Sequence, residues 1–159
     1  MNADEFNETF RKHLAKVSKY LAYRVPRDNV EDLAAEIFLI AWKKQGSCPA
    51  GAELPWLYRI AAFVVANHRR KSIRNQSFQL FDTDLASPAT EDVFLNDFVL
   101  QKAWLSLEKK DQSVLALAAL EQLSISEISL VLGISTNAVS IRLHRARKNL
   151  EANLKELEG

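Results

Sequence analysis

The sequence has few of the residues that build disulfide-linked domains, tight turns and metal sites. It contains a single cysteine, Cys48, which excludes a disulfide framework and zinc motifs built from several cysteines. With 4 glycines and 4 prolines in 159 residues there are few places to turn, which favours long helices over a many-stranded sheet. No stretch shows sustained alternation of apolar and polar residues. These absences predict an all-α fold.

Signals for secretion and membrane insertion are also missing. The N-terminus opens with acidic and polar residues, unlike a secretion signal. No apolar run approaches the roughly 18 residues that span a bilayer. Hydrophobic residues make up 48% and charged residues 26% of the chain, which are ordinary values for folded globular proteins. We therefore expect a cytoplasmic protein without membrane insertion.

Catalytic and metal-binding motifs are missing as well. The three histidines, His13, His68 and His144, are scattered without the spacing of metal ligands. The sequence contains no nucleophile triad, no phosphate-binding loop and no paired carboxylates that would line a cleft. We predict that the protein is not an enzyme and uses neither a metal nor another cofactor.

The net charge of +1 conceals a segregation of charge along the chain. Residues 76–101 carry five acidic and no basic side chains, whereas residues 1–75 carry 13 basic and 8 acidic ones. Two windows, 54–75 and 128–150, contain basic charges only. Two basic helices separated by an acidic segment indicate two nucleic-acid contacts on one chain. In the alternative interpretation, the basic residues simply form two solvent-exposed helix faces.

Composition also divides the chain into two small helical domains. Residues 76–91 lack helical periodicity and contain Ser, Thr, Asp and Pro, so we interpret them as an acidic linker. The linker joins an N-terminal domain, residues 1–75, to a C-terminal domain, residues 92–159. Hydrophobic spacing predicts helices over about 4–24, 28–44, 55–74, 91–105 and 109–120, followed by the helix-turn-helix described below.

The second predicted helix, residues 28–44, is apolar on two sides. It starts at Asp28, whose spacing to Glu31 resembles a capping box. One apolar face, formed around Leu33 and Ile37, is sufficient to dock the helix on its own domain. The opposite side carries Ala35, Phe38, Leu39 and Trp42, with the polar residues Asp32, Glu36 and Lys43 in a narrow strip beside them. Such a helix either lies at the centre of a core or offers its outer face to a partner, and the residues alone favour neither.

The third predicted helix, residues 55–74, carries a stripe of aromatic and basic residues. A helical wheel places within one arc Trp56, Arg59, Phe63, Asn67, Arg70 and Arg74. Aromatic faces stack unpaired bases while arginines hold phosphates, so the stripe is typical of a surface for single-stranded nucleic acid. In the alternative interpretation Trp56 and Phe63 pack against the first helix and the arginines are merely solvated.

A helix-turn-helix is the sharpest pattern in the chain. Ser124 and Glu127 have the spacing of a capping box that opens a short helix. Gly133 is placed to end this helix in a left-handed conformation, and Ser135 can cap the longer basic helix that follows. A short helix, a glycine turn and a basic helix together indicate binding to duplex DNA. A helical hairpin with a merely solvated basic face is the alternative.

The last helix leaves one side free for that DNA. Its buried stripe is predicted at Val139, Leu143, Ala146, Leu150 and Leu154. On the free side, Asn, Ser and Arg can read base edges, Ile can meet a thymine methyl, and basic residues can hold phosphates. The predicted DNA-binding residues are Ser135, Thr136, Asn137, Ser140, Ile141, Arg142, His144, Arg145, Arg147 and Lys148.

These motifs, in this order, resemble the extracytoplasmic-function (ECF) branch of bacterial RNA polymerase sigma factors. The matching segments are residues 30–42 (VEDLAAEIFLIAW), 54–61 (LPWLYRIA) with 66–70 (ANHRR), and 123–128 (LSISEI) with 141–147 (IRLHRAR). The resemblance implies a protein that directs core polymerase to promoters and assists melting of the −10 element. A transcriptional regulator that binds DNA through a similar helix-turn-helix without polymerase is the alternative.

The resemblance also implies partners for each surface. The second helix would dock on the clamp helices of the polymerase β′ subunit through Asp32, Ala35, Glu36, Leu39 and Trp42. The third helix, with Arg69 added to its stripe, would hold the −10 element, and the loop at 46–53 would receive a flipped base. The helix-turn-helix would read the −35 element. Contact with the β flap and control by an anti-sigma factor are further implications.

Two positions depart from the residues common in this family. Phe63 stands where many members have Asn, and Ser140 where many have Arg. We therefore expect base recognition to differ at both positions.

Overall fold

The computed structural model describes residues 1–76 and 97–158. Throughout these two ranges the regular elements are helices and no strand occurs, which confirms the predicted all-α fold. The chain divides into two compact units, Met1–Thr90 and Glu91–Gly159. The predicted acidic linker, residues 76–91, lies outside the described residues except for its first position. Among the helices described, none is long and apolar enough to cross a membrane.

Up to residue 76, four α-helices build the first unit. They are α1 (Ala3–Arg11), α2 (Leu14–Ala22), α3 (Val30–Lys43) and α4 (Glu53–Gln76), with short 3-10 turns at Arg27–Asn29 and Gln45–Ser47. Helix α3 packs against both α2 and α4. The fully buried side chains of this core include Phe10, Val17, Leu21, Ile37, Leu57 and Val64.

The single helix predicted over 4–24 is wrong, because the chain turns between α1 and α2. The turn occupies Lys12 and His13, and the His13 amide donates to the carbonyl of Phe10 at 3.0 Å. The turn contains neither glycine nor proline, and the buried residues on its two sides keep the spacing of one continuous helix. For this reason hydrophobic periodicity could not reveal the break.

Helix α3 also begins differently from the prediction. A 3-10 turn leads into it, and no side chain caps its first amides, so the predicted capping box of Asp28 and Glu31 is wrong. The residue at the cap position, Asn29, directs its side-chain amide to Nε2 of His68 on α4, at 3.2 Å. The Asn29 side chain therefore makes a tertiary contact instead of capping the helix.

From residue 97 onward, four α-helices build the second unit. They are α5 (Phe98–Leu105), α6 (Lys109–Ala119), α7 (Ile125–Leu132) and α8 (Thr136–Glu158). The predicted start of the first of these, near residue 91, lies outside the described residues. In the described part α5 begins at Phe98, and Oδ1 of Asp97 caps it by accepting from the Leu100 amide at 2.9 Å. Helix α8 packs against the other three and is the centre of the unit.

Two asparagines near the end of α8 fasten it to α5 and α6. Nδ2 of Asn149 donates to Oδ2 of Asp111 at 2.9 Å, and Nδ2 of Asn153 donates to the carbonyl of Ala103 at 3.0 Å. Asp111 is only 4% exposed, so its carboxylate depends on such partners to offset the loss of water. These bonds hold the second half of α8 against α5 and α6.

Candidate nucleic-acid interface

The start of α7 is held by the local bonds that the sequence predicted. The Ser124 amide donates to Oε1 of Glu127 at 2.9 Å, and the Glu127 amide donates to Oγ of Ser124 at 3.2 Å. This reciprocal pair is a capping box and confirms the predicted start of α7.

The other end of α7 and the start of α8 also follow the prediction. Gly133 has φ of 67°, a left-handed conformation that glycine adopts without steric cost. The Ser129 hydroxyl donates to the carbonyl of Ile134. Oγ of Ser135 accepts from the Ala138 amide at 3.1 Å and so caps α8. These contacts set the direction in which α8 leaves the turn.

Helix α8 presents a free side over its first half. Val139, Leu143 and Ala146 are buried as predicted, whereas Leu150 and Leu154 are only half-buried. Of the predicted DNA-binding residues Arg142 is half-buried; the exposed ones are Ser135, Thr136, Asn137, Ser140, Ile141, His144, Arg145, Arg147 and Lys148. The predicted face is thus accessible as a whole.

The charge of α8 is distributed unevenly along its length. All of its basic residues but Lys155 fall between 142 and 148, and its acidic residues begin at Glu151. The N-terminal end of a helix is itself electropositive. The half of α8 next to the turn is therefore suited to approach the phosphates and bases of a DNA duplex.

Helix α4 exposes most of the predicted aromatic and basic stripe. Arg59, Arg70 and Arg74 are exposed, Asn67 is half-buried, and Phe63 is 57% exposed. A large ring this accessible between guanidinium groups can stack on an unpaired base.

Trp56 does not belong to this exposed stripe, so that part of the prediction is wrong. Its side chain is 7% exposed, and its ring centroid lies 6.1 Å from that of Phe10 on α1. The wheel placed Trp56 on the outer side of α4 correctly, but α1 covers that side at the start of the helix. Packing against the first helix, the alternative interpretation, is correct for Trp56 and wrong for Phe63.

Arg69 differs from its neighbours because part of its guanidinium has a structural bond. One of its nitrogens donates to the carbonyl of Arg24 at 3.2 Å, which ties α4 to the end of α2. Loss of water around the guanidinium lowers the pKa of Arg69, and the nearby charge of Arg24 acts in the same direction. Arg69 remains a cation, yet one of its donors is already in use.

One exposed residue on the outer side of α4 was missed. Ile73 is 46% exposed and lies in the same half of the wheel as Phe63 and Arg70. An apolar residue inside a basic window is the signal that could have identified it.

The outer face of α3 is accessible, as the family resemblance implied. Leu39 is 53% and Trp42 37% exposed, and the face also exposes Asp32, Ala35 and Glu36. The opposite side of the helix is buried at Leu33, Ala34, Ile37 and Ala41. A single apolar face therefore docks α3 on its unit. The second apolar face is exposed and places large apolar side chains beside carboxylates, which is typical of a surface that binds another protein.

The loop between α3 and α4 holds the single cysteine. The Cys48 thiol is half-buried and donates to the carbonyl of Pro49 at 3.6 Å. Burial raises the pKa of Cys48, and the carboxylate of Glu53 adds to the effect. The thiol is therefore protonated at neutral pH and unsuited to nucleophilic chemistry. Within the described ranges, no group of three His, Cys, Asp or Glu side chains could hold a metal ion.

Comparison with known proteins identifies relatives over nearly the whole chain. Two family models match: Sigma-70 region 2 over residues 9–75 and Sigma-70, region 4 over residues 98–150. The chain is 29% identical to RNA polymerase sigma factor YlaC of Bacillus subtilis, over 95% of this chain and 92% of that protein. It is 30% identical to RNA polymerase sigma factor CarQ of Myxococcus xanthus, over 98% and 92% respectively. Several further relatives are named ECF RNA polymerase sigma factors.

Two solved structures share the fold. The sigma factor RpoE from Bartonella quintana, solved with the anti-sigma factor NepR, aligns with a TM-score of 0.63 at 21% identity, over 96% of this chain and 98% of that one. CnrH, solved with the cytosolic domain of CnrY, aligns with a TM-score of 0.62 at 25% identity, over 98% and 90% respectively.

Proposed function

This chain belongs to the ECF sigma factors of bacterial RNA polymerase, and on that premise we propose which of its surfaces meet the polymerase and the promoter. The observation that carries the proposal is the exposed apolar face of α3, flanked by acidic residues, in the same unit as the basic outer side of α4. A regulator that binds DNA through its helix-turn-helix alone would have no need of such a face.

Core polymerase docks on the outer face of α3. Leu39 and Trp42 supply the apolar contact, and Asp32 and Glu36 supply charge that selects a basic partner surface. The family resemblance makes the clamp helices of β′ that surface. Buried aromatic anchors such as tryptophan carry much of the binding energy of interfaces, and charges around them select the partner.

The −10 element is held by the outer side of α4. Phe63 stacks on an unpaired base, Arg59 and Arg70 hold the phosphates on either side, and Asn67 and Arg74 extend the contact. Arg69, at the edge of this surface, contributes positive charge that attracts the DNA phosphates. Trp56 supports this surface from within the core rather than touching DNA. The loop at 46–53 lies directly before α4 in the chain and is the proposed site of a flipped base.

The −35 element is read by α8. Residues near its N-terminus and Arg145 meet base edges in the major groove, Ile141 meets a thymine methyl, and Arg142, Arg147 and Lys148 hold phosphates. The Ser140 hydroxyl can both donate and accept a hydrogen bond, but it lacks the bidentate fork of donors that arginine has. The preferred base opposite Ser140 is therefore expected to differ from that of relatives with arginine.

Further partners follow from the relatives. Because RpoE and CnrH were solved with the anti-sigma factor NepR and the cytosolic domain of CnrY, we propose that an anti-sigma factor also binds this chain. Contact of the C-terminal unit with the β flap, and action in the cytoplasm where core polymerase works, complete the proposal.

The experiment compares DNA binding and transcription with and without core polymerase. Run-off transcription over a genomic library identifies a promoter, which then serves in gel shifts. We expect specific binding only when core polymerase is present. Specific binding of the free chain with the affinity of the complex would instead identify a stand-alone regulator.

The polymerase face is tested with a double variant. Glu36→Lys with Trp42→Ala should weaken binding to core polymerase by more than about a hundredfold, since hot-spot residues each contribute roughly 2 kcal/mol or more. Glu8→Lys, a charge reversal on the exposed side of α1, is the matched control and should bind normally. Wild-type affinity in a folded double variant would contradict the assignment.

A further inference from the structure

Helix α1 touches the exposed face of α3 through one pair of rings. The ring of Phe6 meets the indole of Trp42 edge-on, with centroids 5.2 Å apart and planes 81° apart. This is the geometry that aromatic pairs prefer. Phe6 is 6% exposed whereas Trp42 is 37% exposed, so Phe6 itself offers almost no surface to a binding partner.

We propose that Phe6 is a positioning residue for polymerase binding, which holds the indole of Trp42 so that its free side joins Leu39 in one apolar patch. The inference rests on the proposed function of the α3 face. It gives α1 an indirect part in binding, through the contact of Phe6 with Trp42. Phe6 acts through Trp42 alone.

The physical reason is the cost of ordering a large side chain at an interface. An indole that rotates freely in the unbound protein must be immobilised on binding, which weakens the complex. A ring packed against one side of the indole restricts it beforehand and leaves the other side available. Anchors that are already ordered in the free protein give the tightest contacts.

On the side away from Trp42, Phe6 is followed by further rings. Its centroid lies 4.5 Å from that of Phe10, and Phe10 lies 6.1 Å from Trp56. Phe10 is 1% and Trp56 7% exposed, so the row ends in the core of the unit. Phe6 is the member of this row whose ring meets Trp42.

The row supplies a matched control. Phe10 is the same residue type, one turn further along α1 and even more buried, but its ring neighbours are Phe6 and Trp56. Replacing Phe10 should reduce the stability of the unit as much as replacing Phe6, while leaving the contact with Trp42 in place. Comparing Phe6→Leu with Phe10→Leu thus separates positioning from general stability.

The test measures affinity of the full chain for core polymerase at a temperature where each variant is folded. Phe6→Leu should weaken binding by roughly three- to tenfold, whereas Phe10→Leu should change it by less than about twofold. In a Trp42→Ala background, Phe6→Leu should cause no further loss. If Phe6→Leu does not fold, Phe6→Met, which keeps more of the volume, takes its place.

A spectroscopic measurement reports the orientation of the indole directly. With Trp56 and Trp104 replaced by Phe, Trp42 is the single fluorophore among the three tryptophans of the chain. Phe6→Leu should increase acrylamide quenching of Trp42 in the free protein, and Phe10→Leu should leave it nearly unchanged.

The outcomes distinguish this inference from the function on which it rests. Normal polymerase binding by Trp42→Ala would overturn the α3 assignment itself. Weakened binding by Trp42→Ala, together with normal binding by folded Phe6→Leu, would overturn only the positioning role. Equal losses for Phe6→Leu and Phe10→Leu would also overturn it, because they would show a general effect of stability.

Discussion

The two long helices α4 and α8 have similar lengths and residue patterns but different surroundings. They span 24 and 23 residues and combine an apolar stripe with a cluster of arginines. In α8 the helical wheel separates buried from exposed residues correctly along the first half. In α4 the wheel fails at Trp56, because Phe10 of α1 covers a position that faces away from the helix's own buried side. A wheel describes one helix, and burial also depends on segments that cross it.

The comparison predicts that truncating the two aromatic residues of α4 will change the stability of the first unit by very different amounts. Trp56→Ala should destabilise the first unit by about 3–5 kcal/mol, because it leaves a cavity under α1. Phe63→Ala should change stability by less than about 0.5 kcal/mol, since that ring is exposed. Denaturant unfolding of the two variants measures the difference. Similar stabilities would mean that α1 does not cover Trp56 in solution.

The second prediction concerns the reading of duplex DNA by α8. Arg145→Ala should lose about 1–3 kcal/mol of discrimination at one position of the −35 element. Lys148→Ala should weaken all promoters alike and reduce the dependence of binding on salt. Binding of a panel of single-base promoter variants, at two salt concentrations, distinguishes them. If both variants lost the same affinity for every promoter in the panel, Arg145 would be only a phosphate contact.

The third prediction concerns strand opening by α4. Phe63→Ala should remove about 1–3 kcal/mol of stacking from the open complex while leaving the closed complex intact. Permanganate reactivity of −10 thymines should fall, and a pre-melted bubble template should restore transcription. Leu14→Ala, which truncates an exposed apolar residue on α2, is the control. Failure of the bubble to rescue would show that Phe63 acts at another step.

The fourth prediction concerns the turn that aims α8. Ser135→Ala removes the cap of α8 and should cost about 1 kcal/mol of stability in the second unit. Ser135→Asp keeps a capping oxygen and should preserve stability, but it adds a negative charge beside DNA and should weaken promoter binding. Thermal unfolding combined with a binding assay separates the two effects. Equal stability of the Ala and Asp variants would contradict the role of the cap.

The smallest expected effect is a pH dependence confined to the first unit. Burial, reinforced by the charge of Lys12, lowers the pKa of His13 below its ordinary value of 6.5. Its Nε2 atom is buried and has no hydrogen-bond partner among residues 1–76 and 97–158. Because the unfolded chain then binds more protons than the folded one, stability should be full above about pH 6.5 and decline as the pH falls below it.

His13→Leu provides the measurement. The melting temperature of the wild type should fall more than that of this variant between about pH 7.5 and pH 5.5. Parallel declines would show that His13 has the same pKa in both states.

Much of the fold could be predicted because its signals are local. The capping box of Ser124 and Glu127, the left-handed Gly133 and the cap at Ser135 each involve residues within a few positions of one another. The two faces of α3 were likewise predictable from spacing alone. The break at His13 was not, because no local signal marks it and the hydrophobic spacing continues across it.

Local patterns predicted the two helical units, the helix-turn-helix and the side of α8 that remains free, since hydrogen bonds to near neighbours and the period of the helix define them. Three contacts arise only when the helices pack: Trp56 is buried under Phe10, Arg69 donates to the Arg24 carbonyl, and Phe6 packs against Trp42. These three contacts join residues from 36 to 46 positions apart in the numbering. Burial and long-range hydrogen bonds depend on which segments meet in space, and the periodicity of a single helix carries no record of the segment that will cover it.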